Sequence, residues 1–203
     1  GAKQGDLFTG WGGPVFCHAA ILSLLLSQSV ERLPPRVELQ GPKGVVLAPS
    51  RARALLFFID SECPVSNGYA PEMARIARLA MNEGIVVLGI HSDPAMTPAK
   101  ASAHAREHGL GMDVAIDPDQ HLAKAAGVRV VPQAVLADAE GRVVYRGRID
   151  DLRTADGKRR PAATRHDLRE ALAAFIAGKP VPAPGGEAFG CPLPEVSKKP
   201  RVE

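Results

Sequence analysis

Residues Ala54 to Ile59 read Ala-Leu-Leu-Phe-Phe-Ile, an unbroken apolar run that stops at Asp60-Ser61-Glu62-Cys63-Pro64-Val65-Ser66-Asn67. A continuous run of this length suits a β-strand covered on both faces. A helical stretch follows, from Pro64 to about Asn82. Pro64 suits the first helical position, which makes Cys63 the N-cap. A thiol there meets unpaired backbone N–H groups and the positive end of the helix dipole. Both favour thiolate, the form of cysteine that attacks disulfides and peroxides. Asp60 and Glu62 act in the opposite sense, because nearby negative charge disfavours a thiolate.

The rest of the chain supplies the layers such a strand needs. Val45–Leu47 reads as a short strand. Ile85–Ile90, Ile-Val-Val-Leu-Gly-Ile, reads as a second buried strand left through His91-Ser92-Asp93-Pro94. Thr97-Pro98 opens a helix to about His108, and Val114–Ile116 is a short strand before Asp117-Pro118-Asp119. His121–Ala126 is a short helix stopped by Gly127. Ala134–Leu136 and Val143–Arg146 flank Ala139-Glu140-Gly141 as a hairpin. Thr164–Ala177 is an amphipathic helix stopped by Gly178. Pro71 lies inside the helix that follows Cys63, where it predicts a kink. This order of elements implies an α/β fold with a central mixed sheet and helices on both faces. Function gathers at the carboxyl ends of the strands in such sheets, where Cys63 and His91 both fall.

The flanks differ from this core. Pro14–Leu26 is a mostly apolar run of 13 residues, too short to span a bilayer, with Ser27 and Ser29 behind it. Residues 1–29 therefore read as a secretory signal peptide cleaved near Ser29. Cys17 leaves with it, and the mature chain keeps Cys63 and Cys191 with no stable membrane span. Two cysteines in an exported chain raise the prospect of a disulfide. Pro34-Pro35 reads as a linker, 36–177 as the folded domain, and 178–203 as a Pro/Gly-rich tail carrying Cys191.

Charge excludes some functions. The formal net charge of +3 over 203 residues is too small to imply a nucleic-acid partner. The sole tryptophan, Trp11, lies in the N-terminal segment, so no stacking surface for single strands is available. Lys158-Arg159-Arg160, with Arg165 nearby, reads as a solvated loop. Gly10-Trp11-Gly12-Gly13 lacks the strand before it and the Lys-Ser/Thr after it that a phosphate loop needs.

Three groups of residues carry a family resemblance. The first is the strand ending in Cys63-Pro64-x-Ser66, with Pro71 eight residues after the cysteine. The second is Asp117-Pro118-Asp119, followed by Ala123-Lys124, Gly127-Val128 and Val131-Pro132. The third is the hairpin Leu136-x-Asp138-x-x-Gly141-Arg142-Val143-Val144-Tyr145-Arg146-Gly147. In order and spacing, residues 36–177 resemble the thioredoxin-like superfamily. Within it they resemble the redoxin, or AhpC/TSA, branch and the related periplasmic thiol-disulfide oxidoreductases. The resemblance implies a thioredoxin-like three-layer α/β/α fold. It also implies that Pro132 is cis and that Val131-Pro132 presents a backbone edge beside Cys63 to an extended substrate. Pro64 and His91 would complete the substrate side.

The departures from that pattern shape the expected chemistry. Thioredoxins carry a second cysteine where Ser66 stands, and a hydroxyl cannot resolve a mixed disulfide, though it can donate a hydrogen bond to the Cys63 sulfur. Peroxiredoxins carry threonine where Asp60 stands, and thioredoxins carry tryptophan where Glu62 stands. Cys191, within Glu187-Ala188-Phe189-Gly190-Cys191-Pro192, is the natural substitute for the missing thiol. The expectation is an exported, periplasmic thiol-disulfide oxidoreductase with Cys63 as nucleophile and Cys191 as resolving cysteine. Its partner is a protein or small-molecule thiol or disulfide. The first rival is a peroxidase using Cys63 on a peroxide. The second is a non-catalytic binding or copper-handling module. His104 and His108 stand four apart on a helix, a spacing open to metal, but no third ligand is evident and the stretch reads as a solvated face. No metal or other cofactor is expected.

Overall fold

The computed structural model describes residues 31–34, 38–42, 44–47, 52–184 and 186–196. The apolar run Pro14–Leu26, its cleavage site and Cys17 lie outside them. The strands are β1 (Glu38–Gly41), β2 (Gly44–Leu47), β3 (Ala54–Ile59), β4 (Val86–His91), β5 (Asp113–Ile116), β6 (Val130–Val131), β7 (Gln133–Ala137), β8 (Val143–Gly147) and β9 (Cys191–Pro192). The helices are α1 (Pro64–Asn82), α2 (Pro98–Glu107), α3 (His121–Ala125) and α4 (Asp167–Ile176).

Seven strands form one mixed sheet in the order β2-β1-β5-β4-β3-β7-β8. β3 pairs in parallel with β4 and antiparallel with β7. No residue of β3 is more than 1% exposed. That burial explains the unbroken apolar sequence, since a strand covered on both faces has no polar side to alternate with. Truncating Phe57 or Phe58 at its centre costs about 3–5 kcal/mol by the usual cavity cost. The β3-α1-β4 and β4-α2-β5 crossovers move in one direction along the sheet, so right-handed connections put α1 and α2 on the same face. Glu72 of α1 pairs with Arg169 of α4 and draws α4 alongside. The architecture is the thioredoxin-like three-layer α/β/α fold expected.

Several residues of the sequence motifs hold turns. Asp117 is buried, and its carboxylate accepts the Ala123 N–H at 2.9 Å, which anchors α3. Asp138 accepts the N–H groups of Glu140 and Arg142 and the Arg142 Nε, closing the β7-β8 hairpin. Gly141 takes φ +77° in that turn, a conformation that favours glycine. Pro71 lies inside α1, which continues to Asn82.

Two expectations need correction. β1 lies in Glu38–Gly41, a stretch without a strand signature, and pairs with both β2 and β5. α4 begins at Asp167 rather than Thr164, because Asp151 accepts the N–H groups of Thr164 and Arg165 and holds them in the preceding loop. Residues 152–160 of the basic loop fold back on themselves, with Arg160 N–H donating to Leu152 O and Arg153 bridging Arg159. Lys158, Arg159 and Arg160 are exposed, as a solvated loop requires. Among the described residues no helix is long and apolar enough to cross a membrane.

Candidate active site

Cys63 ends the loop after β3 and caps α1, with extended backbone at φ −87° and ψ 109°. The Ser66 N–H donates to its sulfur at 3.4 Å, as an N-cap acceptor should receive. The hydrogen bond to sulfur therefore comes from the Ser66 backbone. The Ser66 hydroxyl oxygen accepts the Asp60 N–H at 3.3 Å and ties the loop to the first turn of α1. The Asp60 carboxylate accepts the Glu62 N–H at 2.8 Å. Pro64 occupies the first turn of α1 and is exposed, while Cys63 is only 2% exposed.

The tail supplies the second thiol. Cys63 and Cys191 form a disulfide across 128 residues of sequence, with their Cα atoms 6.1 Å apart. Cys191 begins β9, which pairs antiparallel with β6 so that Val131 faces Cys191 and Val130 faces Pro192. Leu193 N–H donates to Arg129 O at 3.1 Å and extends the ladder. Gln120, in left-handed backbone at φ +56°, reaches with Nε2 to Pro194 O at 2.6 Å and to Ser92 O at 3.0 Å. The Val131–Pro132 peptide is cis, and the Val131 carbonyl oxygen lies 3.5 Å from the Cys63 sulfur. Cys63, Ser66, Val131, Pro132 and Cys191 thus share one site.

His91 is placed differently. It pairs with Ile59 at the end of the β3-β4 ladder, but its side chain is wholly buried and meets His104 instead of the surface. The His91 Nε2 is 3.3 Å from His104 Nδ1, and His104 Nε2 is 2.9 Å from Asn67 Oδ1. Asn67 Nδ2 donates to the Ser61 carbonyl at 2.7 Å. A carbonyl only accepts, so the amide orientation and both tautomers follow. Asn67 Oδ1 accepts from His104 Nε2–H, and His104 Nδ1 accepts from His91 Nε2–H. Burial, and secondarily the neighbouring His104, lowers the His91 pKa to about 4. Burial, followed by His108, also lowers that of His104. His104 is only 5% exposed, which corrects the solvated-face reading of its helix. Among the described residues no three His, Cys, Asp or Glu side chains are grouped to hold a metal ion.

Residues unremarkable in sequence complete the surroundings. Tyr69 of α1 donates its hydroxyl hydrogen to the buried Asp150 carboxylate at 2.7 Å, fastening the 150–165 loop beside the first turns of α1. Gly157 of that loop, at φ +83°, lies under the Phe189 ring, and a Cβ there would come within 2.6 Å of it. Phe189, Cys191 and Leu193 all pack on the core from the tail.

The AhpC/TSA family matches residues 38–146. Among solved structures, an uncharacterized conserved protein of Geobacillus kaustophilus is 27% identical with a TM-score of 0.70, covering 84% of this chain and 94% of its own. A hypothetical protein of Sinorhizobium meliloti is 27% identical with a TM-score of 0.71, covering 85% and 97%. A Chlorobium tepidum protein provisionally described as thiol:disulfide interchange protein DsbE shares the fold at 23% identity and a TM-score of 0.50, over 57% of this chain and 82% of its own. No curated protein matches the sequence. With more than half of its length matched, and a helix-capping Cys63 beside a cis Pro132, the chain belongs to the AhpC/TSA family.

Proposed function

We propose that the protein is a thiol-disulfide oxidoreductase that cycles between a Cys63/Cys191 dithiol and the Cys63–Cys191 disulfide. The observation that carries this reading is the pairing of an N-cap cysteine with a tail cysteine against the Val131-Pro132 edge. In the reducing direction the Cys63 thiolate attacks a partner disulfide. One partner sulfur bonds to Cys63, and the other leaves as a thiolate. The Cys191 thiolate then attacks the Cys63 sulfur and releases the second partner thiolate. The partner gains two electrons, and this chain loses them. The reverse sequence oxidises a partner dithiol.

The remaining site residues have supporting roles in this account. The Ser66 N–H and the N-terminus of the 19-residue α1 stabilise the Cys63 thiolate. The Ser66 hydroxyl fixes the loop that carries the nucleophile. Val131 and Pro132 present the backbone edge, Pro64 forms the exposed rim, and His91 acts through His104 and Asn67 on the loop rather than on the substrate. The apolar Pro14–Leu26 segment and a disulfide-based cycle both fit an exported protein in an oxidising compartment.

Family membership supports a second reading, a thiol peroxidase. There Cys63 attacks a peroxide oxygen, an alcohol or water leaves, and Cys63 becomes a sulfenic acid. Cys191 condenses with it to the same disulfide and releases water. The aspartate at position 60, where peroxiredoxins carry threonine, places this reading second. Turnover with a protein disulfide and with hydrogen peroxide separates the two. The oxidoreductase account expects disulfide exchange to be lost in Cys63→Ser and a partner mixed disulfide to accumulate in Cys191→Ser. Full exchange activity in Cys63→Ser would contradict it.

A further inference from the structure

The segment on the Val130–Val131 edge is the chain's own tail, and its fit there is close at one residue. Gly190 passes so near β6 that a Cβ on it would overlap the Val131 carbonyl and lie 3.1 Å from the Pro132 nitrogen. Val131 is fully buried, and Gln133, one residue beyond Pro132, opens the β7 ladder to β3. A Cβ at position 190 therefore requires the tail or this buried backbone to shift. Gly190 shows no positive φ, so the requirement is for close approach and not for an unusual backbone. Either side of it the seat is fixed, by Phe189 over Gly157 and by Leu193 N–H on Arg129 O. β9 itself is two residues long, so little backbone pairing holds the tail once the disulfide is reduced.

From this fit we infer that the edge selects its occupant by the residue before the cysteine. A partner protein that exchanges disulfides with Cys63 presents an extended segment with glycine immediately ahead of its reactive cysteine, and this segment replaces residues 190–193 on β6. The inference rests on the oxidoreductase reading and adds the substrate class to it. Reduction of Cys63–Cys191 frees the tail and opens the edge. Partner and tail then compete for the same edge of β6. Gly190 is the specificity-determining residue of this chain's own resolving step, and a glycine-cysteine pair is the matching feature of its partner.

The test uses the full chain carrying Cys17→Ser and Cys191→Ser, so that Cys63 is its sole thiol. The probes are two pentapeptides, Phe-Gly-Cys-Pro-Leu and Phe-Ala-Cys-Pro-Leu, each activated as a mixed disulfide with a coloured aryl thiol. Attack by Cys63 forms a Cys63–peptide disulfide, breaks the peptide–aryl S–S bond and releases the aryl thiolate, which is read by absorbance. The glycine peptide is expected to react about tenfold faster, the effect of a clash near 1.4 kcal/mol. Equal rates overturn the inference while leaving the oxidoreductase reading standing. No reaction with either peptide, nor with a symmetrical small aryl disulfide, overturns the nucleophilic role of Cys63 and the inference with it. In the otherwise unaltered chain, Gly190→Ala is expected to slow closure of the Cys63–Cys191 disulfide by a similar factor. Unchanged closure overturns the inference.

Discussion

The Nε2 atom of His91 lies 3.3 Å from Nδ1 of His104, in a pair sealed behind the loop that carries Cys63. The pair continues through Asn67 to the carbonyl of Ser61, two residues before the cysteine. One chain of hydrogen bonds thus links the end of β4, the last turn of α2, the first turn of α1 and the nucleophile loop. The chain starts at an acceptor, His91 Nδ1, that has no partner among the described residues, and the buried Ser92 hydroxyl next to it also has none. Protonating His104 at Nδ1 removes the acceptor for His91 Nε2–H, and protonating His91 at Nδ1 leaves that bond in place but puts a charged, unpartnered N–H in the interior.

Stability should therefore depend on pH. His91 has a pKa of about 4 in the folded chain, against about 6.5 when unfolded. The unfolded state binds the extra proton between those values, so stability is full above pH 6.5 and falls as the pH drops toward 4. His91 alone accounts for up to about 3 kcal/mol over that window. His104 acts in the same sense, although Asp60, Glu107 and Glu62 facing it partly offset its burial and the charge of His108. Urea unfolding at pH 7 and pH 4.5 checks this. The parent chain should lose much more stability at the lower pH than His91→Gln does.

Tyr69→Phe removes the donor to the buried Asp150, which keeps the Leu152 N–H at 2.9 Å as a partner. A hydrogen bond to a charged acceptor contributes roughly 1.5–3 kcal/mol, and that is the expected loss of unfolding free energy. Denaturant titration at pH 7 measures it. Burial, reinforced by Asp150, raises the Tyr69 pKa, so the phenol is a hydrogen donor at the pH of that experiment.

Phe189→Ala should loosen the tail without unfolding the domain. The ring is partly buried against Gly157 and the core. Losing about 1 kcal/mol of aromatic burial shifts the dithiol–disulfide equilibrium roughly fivefold toward the dithiol. Equilibration with glutathione buffers, followed by thiol alkylation and mass determination, reads the ratio directly.

Much of this molecule was legible in the chain. The apolar run Ala54–Ile59 and the Cys63-Pro64 junction specify a doubly covered strand and a capped helix, because burial and capping are local rules with strong residue signatures. The hairpin was equally plain, since Asp138 and Gly141 each do a job that few other residues can. What escaped depended on distance. Glu38–Gly41 is a strand because β5 and β2 flank it, and its own residues do not say so. Helical spacing placed His104 and His108 on one face, but could not tell that His91 and Asn67 would close over the first of them. Tyr69 and Asp150 meet across 81 residues. Gly190 sits in a glycine- and proline-rich tail where one more glycine draws no notice, and its value appears only against the Val131 carbonyl.

Peptide mass mapping without reduction, after exposure of the chain to a mild oxidant and again after a reductant, tests the central claim most directly. The account predicts a Cys63–Cys191 cross-linked peptide pair that forms in the oxidant and separates completely in the reductant. Cys63 recovered as a sulfenic or sulfinic acid with Cys191 a free thiol, or both recovered as untouched thiols, would contradict it.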